Sequence, residues 1–309
     1  MNWLFELAAV SKQAFYKKLN RPRIDYSLQI AALIEGADAI RREHPGCGVE
    51  KIYDTLQPGW IGKNKGVALL YSYGYKLHQK VNYRRTTIPV SSPYENLIEG
   101  MLVRDKNQVW QSDITYIKIA ERFYYLVFII DVYTKEVLGY SVSNNLRAEA
   151  NLVALSMALH SQKDSSLTAL VHHSDRGSQY IDHRYIKELQ RRHIFISMGN
   201  KAQENAYAER LNGIIKNEYL KRWNIEDFTG LKRKTAKAVK HYNTRRIHKH
   251  LPKKQTPQQF SRACVNLDTQ NRPKVIIYTD GKPKLKSALS LLEFYPETEP
   301  QAPICPMVY

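Results

Sequence analysis

From Gln108 the hydrophobic periodicity of this chain switches between that of strands and that of helices in one definite order, and that order restricts the fold more than any other feature. Val109 to Ala120 alternates and is rich in β-branched residues, Phe123 to Val132 is a near-continuous apolar run, and Val137 to Val142 follows a short turn at Thr134-Lys135-Glu136. Side chains that branch at Cβ or carry rings suit a pleated surface, so this stretch predicts a three-stranded antiparallel meander. Arg147 to His160 then reads as a helix with Leu152, Leu155, Ala158 and Leu159 on one face. Leu167 to His172 reads as a short strand, His183 to His193 as a second helix and Ile194 to Met198 as another strand. A long helix is predicted from about Glu204 to Trp223, where Tyr207, Leu211, Ile214, Ile215 and Glu218 recur at helical spacing.

The succession β-β-β-α-β-α-β-α is the RNase H-like layout, so the expected class is α/β with an RNase H-like core. Upstream, Ser11 to Leu19, Tyr26 to His44, Val49 to Leu56 and Lys63 to Tyr73 read as short helices separated by Pro45-Gly46, Pro58-Gly59 and Gly62. They predict an N-terminal helical, helix-turn-helix-like domain over 1–82; a small helical domain that only packs against its neighbour is the plainer reading. The segment 83–105, with Pro89 and Ser91-Ser92-Pro93 and no periodicity, is expected to be a linker. The core is expected over 106–225 and a basic helical segment over 226–262. The remainder, 263–309, with Pro296, Pro300, Pro303 and Pro306, is expected to be a partly disordered tail.

Charge narrows the partner. The chain carries 47 Lys and Arg against 29 Asp and Glu, a net +18, which calls for an acidic polymer. Residues 201–254 hold 15 basic against 5 acidic side chains, whereas 1–105 hold 15 against 10, so the excess lies after the middle. Ribosomal and chromatin proteins share such a balance. A membrane class is excluded because the best apolar run, Tyr124 to Ile130, is strand-sized and ends at Asp131. Met1 to Val10 lacks the basic start and small-residue cleavage site of a secretory signal. Cys47, Cys264 and Cys305 are odd in number and far apart, which fits a reducing cytoplasm and argues against disulfides or structural zinc.

Three carboxylates fall where the layout brings them together. Asp113 lies in the first strand, within Trp110-Gln111-Ser112-Asp113-Ile114-Thr115-Tyr116, and Asp175 closes the fourth, within His173-Ser174-Asp175-Arg176-Gly177-Ser178-Gln179-Tyr180. Ends of central strands are where α/β sheets put ligands. Glu209 is turned away from Tyr207 and Leu211 on the long helix, off the apolar stripe, and shares its face with Asn205, Asn212 and Lys216. Transfer at a phosphodiester needs both the attacking and the leaving oxygen stabilised, which two Mg²⁺ ions held by carboxylates accomplish without a general-base histidine. Each acid has a plainer role as a strand-end or helix-surface charge; the layout that gathers them favours metal binding. Asp131 is either a fourth ligand or a turn former. Glu204 and Glu218 compete with Glu209, the first as a helix N-terminal acid, the second at the edge of the apolar stripe. His172 and His173 either assist catalysis or, as strand residues beside Asp175, pack and orient, which is the plainer role.

With these residues in place, the chain resembles the integrase-core (DDE) transposases of the IS-three family of bacterial insertion sequences, and specifically their B-frame protein. Asn107 to Ile117 resembles the family's first-aspartate strand, His173 to Tyr180 its second-aspartate signature, and Asn205-Ala206-Tyr207-Ala208-Glu209 with Asn212 and Lys216 its glutamate helix. Tyr242-Asn243-x-x-Arg246-x-His248-x-x-Leu251 and Thr256-Pro257-x-x-Phe260 resemble its closing signature. His44-Pro45-x-x-Gly48 with Lys51-Ile52-Tyr53 resembles its N-terminal helical segment. The resemblance runs from about Ser11 to Phe260 and implies a retroviral integrase-like core. It further implies Asp113, Asp175 and Glu209 as catalytic and metal-binding residues, and Mg²⁺ as cofactor, two ions, with Mn²⁺ as a substitute. The activity it implies is nicking of transposon ends and joining of the 3′-hydroxyl to another phosphodiester. The gap between Asp175 and Glu209 is slightly shorter than usual for the family, and Glu204 stands where relatives commonly have aspartate.

Double-stranded DNA is the expected partner. Lys232, Arg233, Lys234, Lys237, Arg245, Arg246 and His248 recur along a predicted helix from Gly230 to His248 and just past it, and Lys216 shares the Glu209 face. Such a set grips phosphates with little sequence information; the plainer reading is a solvated helix face. The resemblance implies homo-oligomers on DNA, a separate upstream A-frame helix-turn-helix protein, and a bacterial cytoplasm with association to the nucleoid. An RNase H-like nuclease without strand transfer and an inactive DNA-binding repressor are the rival readings.

Overall fold

The computed structural model describes residues 9–19, 25–77, 94–163, 165, 167–199 and 201–277, with Trp3 and Phe5. The end of the expected N-terminal domain, 78–82, the first part of the expected linker, 83–93, and most of the expected tail, 278–309 with Cys305, lie outside the described residues.

Five of the strands form one sheet, and the first and last pair with each other. In chain order the strands are β1 (Leu102–Val103), β2 (Val109–Ile119), β3 (Arg122–Asp131), β4 (Val137–Ser143), β5 (Val171–Ser174), β6 (Phe195–Met198) and β7 (Val275–Ile276). The sheet order is β4-β3-β2-β5-β6, with β2, β3 and β4 antiparallel and β5 and β6 parallel to β2. Period-two alternation along β2 and β3 sorts the core into two layers. Trp110, Val127 and Ile129 face the helices α5 (Ala148–Ser161) and α6 (His183–Arg191), in a core with Leu155, Leu159, Tyr185 and Leu189. Ile117, Ile119, Leu126, Phe128 and Ile130 face the other way, onto α7 (Ala206–Ile214) and α8 (Phe228–Thr244), against Leu211, Ile214, Ile215 and Val239. The RNase H-like class read from the sequence is the fold observed.

The N-terminal helices are α1 (Lys12–Leu19), α2 (Ser27–Glu43), α3 (Val49–Leu56) and α4 (Lys63–Ser72). The last three enclose a small core of Leu33, Ala37, Cys47, Val49, Ile52 and Leu70.

Three expectations need correcting. Residues 94–105 are not a linker: Tyr94, Ile98, Met101 and Val103 are buried, and β1 pairs with β7. The start of the expected tail is ordered for the same reason, because α9 (Pro257–Val265) buries Phe260 and Cys264, and Ile277 closes the same cluster with Met101 and Val132. The long helix is not regular: a 3₁₀ turn (Ala202–Asn205) precedes α7, and a π turn (Ile215–Tyr219) and a second 3₁₀ turn (Leu220–Arg222) come after it.

Candidate active site

Alternation along β2 puts Gln111, Asp113 and Thr115 on the face that also carries Ile117, the face covered by α7 and its continuation. Each of those polar side chains meets that helix. Gln111 is fully buried; its Oε1 accepts from the Tyr207 and Ala208 N–H groups at 3.0 and 3.3 Å, and its Nε2 donates to the Glu204 carbonyl at 3.0 Å. A strand side chain thus caps the start of the helix that carries Glu209. Asn205 Nδ2 donates to the Ser112 carbonyl at 2.9 Å, Asn212 Nδ2 donates to Asp113 Oδ2 at 2.7 Å, and Lys216 Nζ donates to Thr115 Oγ1 at 3.0 Å. Gln111 has no distinct role in the sequence pattern; the signal for it is its place two residues before Asp113, on the same strand face.

The parallel register pairs Gln111 with His173. Asp113 and Asp175 each lie two residues beyond that pair, Asp175 just past the end of β5. Asp175 Oδ1 accepts from the Gly177 N–H at 3.1 Å, which turns the chain away from the strand end. The three carboxylates share one electrostatic neighbourhood. Burial, then the negative charges of Asp175 and Glu209, push the Asp113 carboxyl up to about 8. Asp175 is raised by burial, and Glu209 by burial and by Asp175. Among the described residues no three His, Cys, Asp or Glu side chains converge on one point at ion-binding distance. The donor set fits a hard divalent cation: carboxylate oxygens whose mutual repulsion a cation would relieve, beside an Asn212 Oδ1 that is buried without a partner.

The competing acids have other work. Asp131 is buried and accepts from the Asn107 N–H at 2.8 Å and from the Thr134 N–H and hydroxyl at 2.7 and 2.8 Å, so it builds the β3–β4 turn. Glu204 Oε2 accepts from the Lys201 N–H at the start of the helix. Glu218 faces away from the carboxylates, toward His44, Lys51 and Arg246. His172 and His173 pack, as expected: His172 Nε2 lies 2.9 Å from the Tyr185 hydroxyl and His173 Nδ1 2.8 Å from Ser197 Oγ, and burial holds both well below the usual histidine range.

The expected DNA grip divides. On α8, Lys232 and Arg233 are exposed and Lys234 half-buried, with Lys232 over the Phe228 ring and Lys234 over Trp223. Lys237 is exposed and pairs with Glu43 at 3.0 Å, and Arg245 is exposed. Arg246 and His248 correct the expectation. Arg246 is 6% exposed and clasps Glu218 through two hydrogen bonds of 2.9 Å, and His248 is buried edge-on against Tyr242. Neither is free to meet a phosphate. Lys216 is half-buried, 4.9 Å above the Tyr116 ring.

With this geometry in hand, residues 104–203 match one family model described as "Integrase core domain" and residues 190–257 a second of the same description. The transposase for insertion sequence element IS904 of Lactococcus lactis subsp. lactis is 30% identical over 242 residues, which cover 74% of this chain and 93% of that one. This chain belongs to the integrase-core transposases of bacterial insertion sequences. The transposase is also 36% identical over 132 residues to InsF of insertion sequence IS3A from Escherichia coli K12, a match spanning 42% of this chain and 44% of that one. Among solved structures, the HTLV-2 integrase catalytic core in complex with magnesium is similar at 20% identity and a TM-score of 0.41, covering 54% of the transposase and 99% of that chain. Family membership makes the transposase a DDE polynucleotidyl transferase. No helix of its described residues is long and apolar enough to cross a membrane.

Proposed function

We propose that Asp113, Asp175 and Glu209 are the catalytic carboxylates of this transposase and hold two Mg²⁺ ions, with Mn²⁺ as a substitute, for nicking and strand transfer at transposon ends. The observation that carries the reading is that three carboxylates, from β2, the end of β5 and α7, raise one another's proton affinity through their charges, while among the described residues no cationic side chain is hydrogen-bonded to any of them. When bound, divalent cations supply the charge that stabilises the attacking and leaving oxygens of the in-line displacement. Asn212 orients Asp113 by donating to Oδ2, Gln111 and Asn205 hold the start of α7 against β2, and Lys216 stands where it meets a strand backbone.

The chemistry has two steps that balance. In the nick, a water oxygen bonds to phosphorus as the P–O3′ bond breaks, and the proton lost by water is matched by the one gained at the released 3′-hydroxyl. In strand transfer that 3′-hydroxyl oxygen attacks a target phosphorus, and the target's own 3′-oxygen leaves and is protonated. Exposed Lys232, Arg233 and Arg245, with Lys234 and Lys237, grip DNA phosphates without reading sequence. The domain order proposed is N-terminal helices, integrase core and basic segment, and the protein acts as an oligomer on DNA.

Product analysis tests this reading. A duplex bearing the terminal repeat that flanks the gene, incubated with the protein, Mg²⁺ and a target duplex, is expected to give joined strands that depend on the divalent cation. A nuclease gives hydrolysis products alone, and a repressor gives neither.

A further inference from the structure

Two segments singled out in the sequence are left unused by the chemistry: His44-Pro45-x-x-Gly48 with Lys51, and Arg246-x-His248. They meet at one side chain. Glu218, in the π turn that continues α7, has His44 Nε2 2.6 Å from its Oε2 and Lys51 Nζ 3.0 Å from its Oε1. Arg246 binds the same carboxylate in bidentate fashion, Nε to Oε2 and Nη2 to Oε1, both at 2.9 Å. Burial alone would raise this carboxyl; the hydrogen bonds from His44 and Arg246 and the charges of Arg246 and Lys51 outweigh it and hold Glu218 well below the usual range.

The backbones meet as closely as the side chains. The Gly46 N–H donates to the Glu218 carbonyl at 2.7 Å, and a Cβ at Gly46 would stand 2.3 Å from Glu218 Cα, so only glycine permits the approach. The His44 ring lies flat on Tyr219, with centroids 4.5 Å apart and planes at 6°, and the Tyr219 hydroxyl is 3.0 Å from His241 Nδ1 on α8. Three parts of the chain therefore converge on Glu218 and Tyr219: the N-terminal helices through His44, Gly46 and Lys51, the glutamate helix itself, and the basic segment through Arg246 on Glu218 and His241 on Tyr219.

A carboxylate gathered by three donors through directional bonds specifies one orientation of the parts it joins, whereas an apolar contact of the same area would tolerate several. Lys216 and Glu218 are two residues apart within the π turn and so point to opposite sides, Lys216 toward Thr115 and Glu218 toward His44.

We propose that Glu218 is a positioning residue: its cluster keys the N-terminal helices and the basic segment to the glutamate helix, so that DNA held by them presents one phosphodiester, and not its neighbours, to Asp113, Asp175 and Glu209. The inference rests on the site assignment above for where the nick falls; the docking is measured without it.

The test uses the full chain and Glu218→Gln, with hydrogen exchange in the absence of DNA and nick mapping on an end-labelled duplex of the flanking terminal repeat with Mg²⁺. Exchange over 44–56 and 215–222 is expected to rise at least ~10-fold while the sheet strands keep their protection. Nicks are expected to spread from one dominant phosphodiester to its neighbours. Loss of total nicking with the position unchanged is what a merely structural role gives, and it overturns the proposal. So does unchanged exchange over 44–56. Should Glu218→Gln fail to fold, Lys51→Met, which leaves the Arg246 clasp in place, is measured by the same two readouts: raised exchange with spread nicks supports the proposal, and either one unchanged overturns it. Absence of nicking by the unsubstituted protein condemns the site assignment, while the exchange data still decide the docking.

Discussion

Replacing Gln111 by leucine separates the positioning of Glu209 from the presence of its carboxylate. Gln111 is fully buried and makes three hydrogen bonds across the strand–helix interface, two accepted from α7 N–H groups and one donated to the Glu204 carbonyl. Leucine has nearly the same volume, so the loss is one of hydrogen bonds rather than packing. At about 1 kcal/mol net for each bond, and more where the abandoned group stays buried, the cost is roughly 2–4 kcal/mol. For a domain of this size that lowers the melting temperature by roughly 5–15 °C. The functional cost comes from geometry: α7 loses its clamp two residues from Asp113, and a displacement of about 1 Å between reacting groups costs on the order of 100-fold in rate. The assay is single-turnover nicking of an end-bearing duplex well below the melting temperature, beside duplex binding in EDTA. Binding should hold within about 2-fold, because Gln111 touches no surface the DNA reaches. Nicking by Gln111→Leu within about 3-fold of the unsubstituted rate refutes the reasoning, since it would show that Glu209 finds its place without the clamp.

Replacing Lys232, Arg233 and Lys234 together should lower the slope of log affinity against log salt by roughly 2–3 for every duplex tested, because each neutralised phosphate contributes about 0.9. Arg246→Ala should leave that slope unchanged and instead cost about 2–3 kcal/mol of stability, seen in denaturant unfolding, because Glu218 loses its bidentate partner and keeps only His44 and Lys51. The Asp113 carboxyl is raised to about 8, so between about pH 4 and that value the folded protein binds a proton that the unfolded chain has already lost. Its contribution to stability in EDTA therefore falls as pH rises from about 4 to about 8. Asp113→Asn should flatten that dependence in thermal melts, and added Mg²⁺ should raise the melting temperature more at about pH 8 than at about pH 6.

The core was legible because alternation and branching are local. β2, β3, β4 and β6 fall on segments whose own residues predict them, whereas β5 (Val171–Ser174) overlaps the segment expected for it, Leu167 to His172, at two residues only; Asp113 and Glu209 stand out because a charge on a buried strand or off an apolar stripe needs a reason. The features that were not legible depend on partners distant in the chain. Glu218 reads as an acid at the edge of a stripe, and only folding brings it His44 and Lys51 from the N-terminal helices. Arg246 and His248 sit in a run of cations that looks like a phosphate grip, and their burial comes from the docking of that segment on Glu218 and Tyr242. The pairing of Leu102–Val103 with Val275–Ile276 joins two short apolar pairs, too brief for any periodicity to mark them. The π turn is equally silent, since the apolar residues keep near-helical spacing through it.

The central claim is that three carboxylates carry the reaction and the surrounding positive charge only delivers the substrate. It is tested most directly by joining of a labelled transposon end to target DNA, with Mg²⁺, by the unsubstituted protein and by Asp113→Asn, Asp175→Asn and Glu209→Gln. Each substitution should abolish joined product, by at least ~10³-fold, while duplex binding stays within about 3-fold. A variant of any of the three that binds DNA and still joins strands at close to the unsubstituted rate would contradict the account.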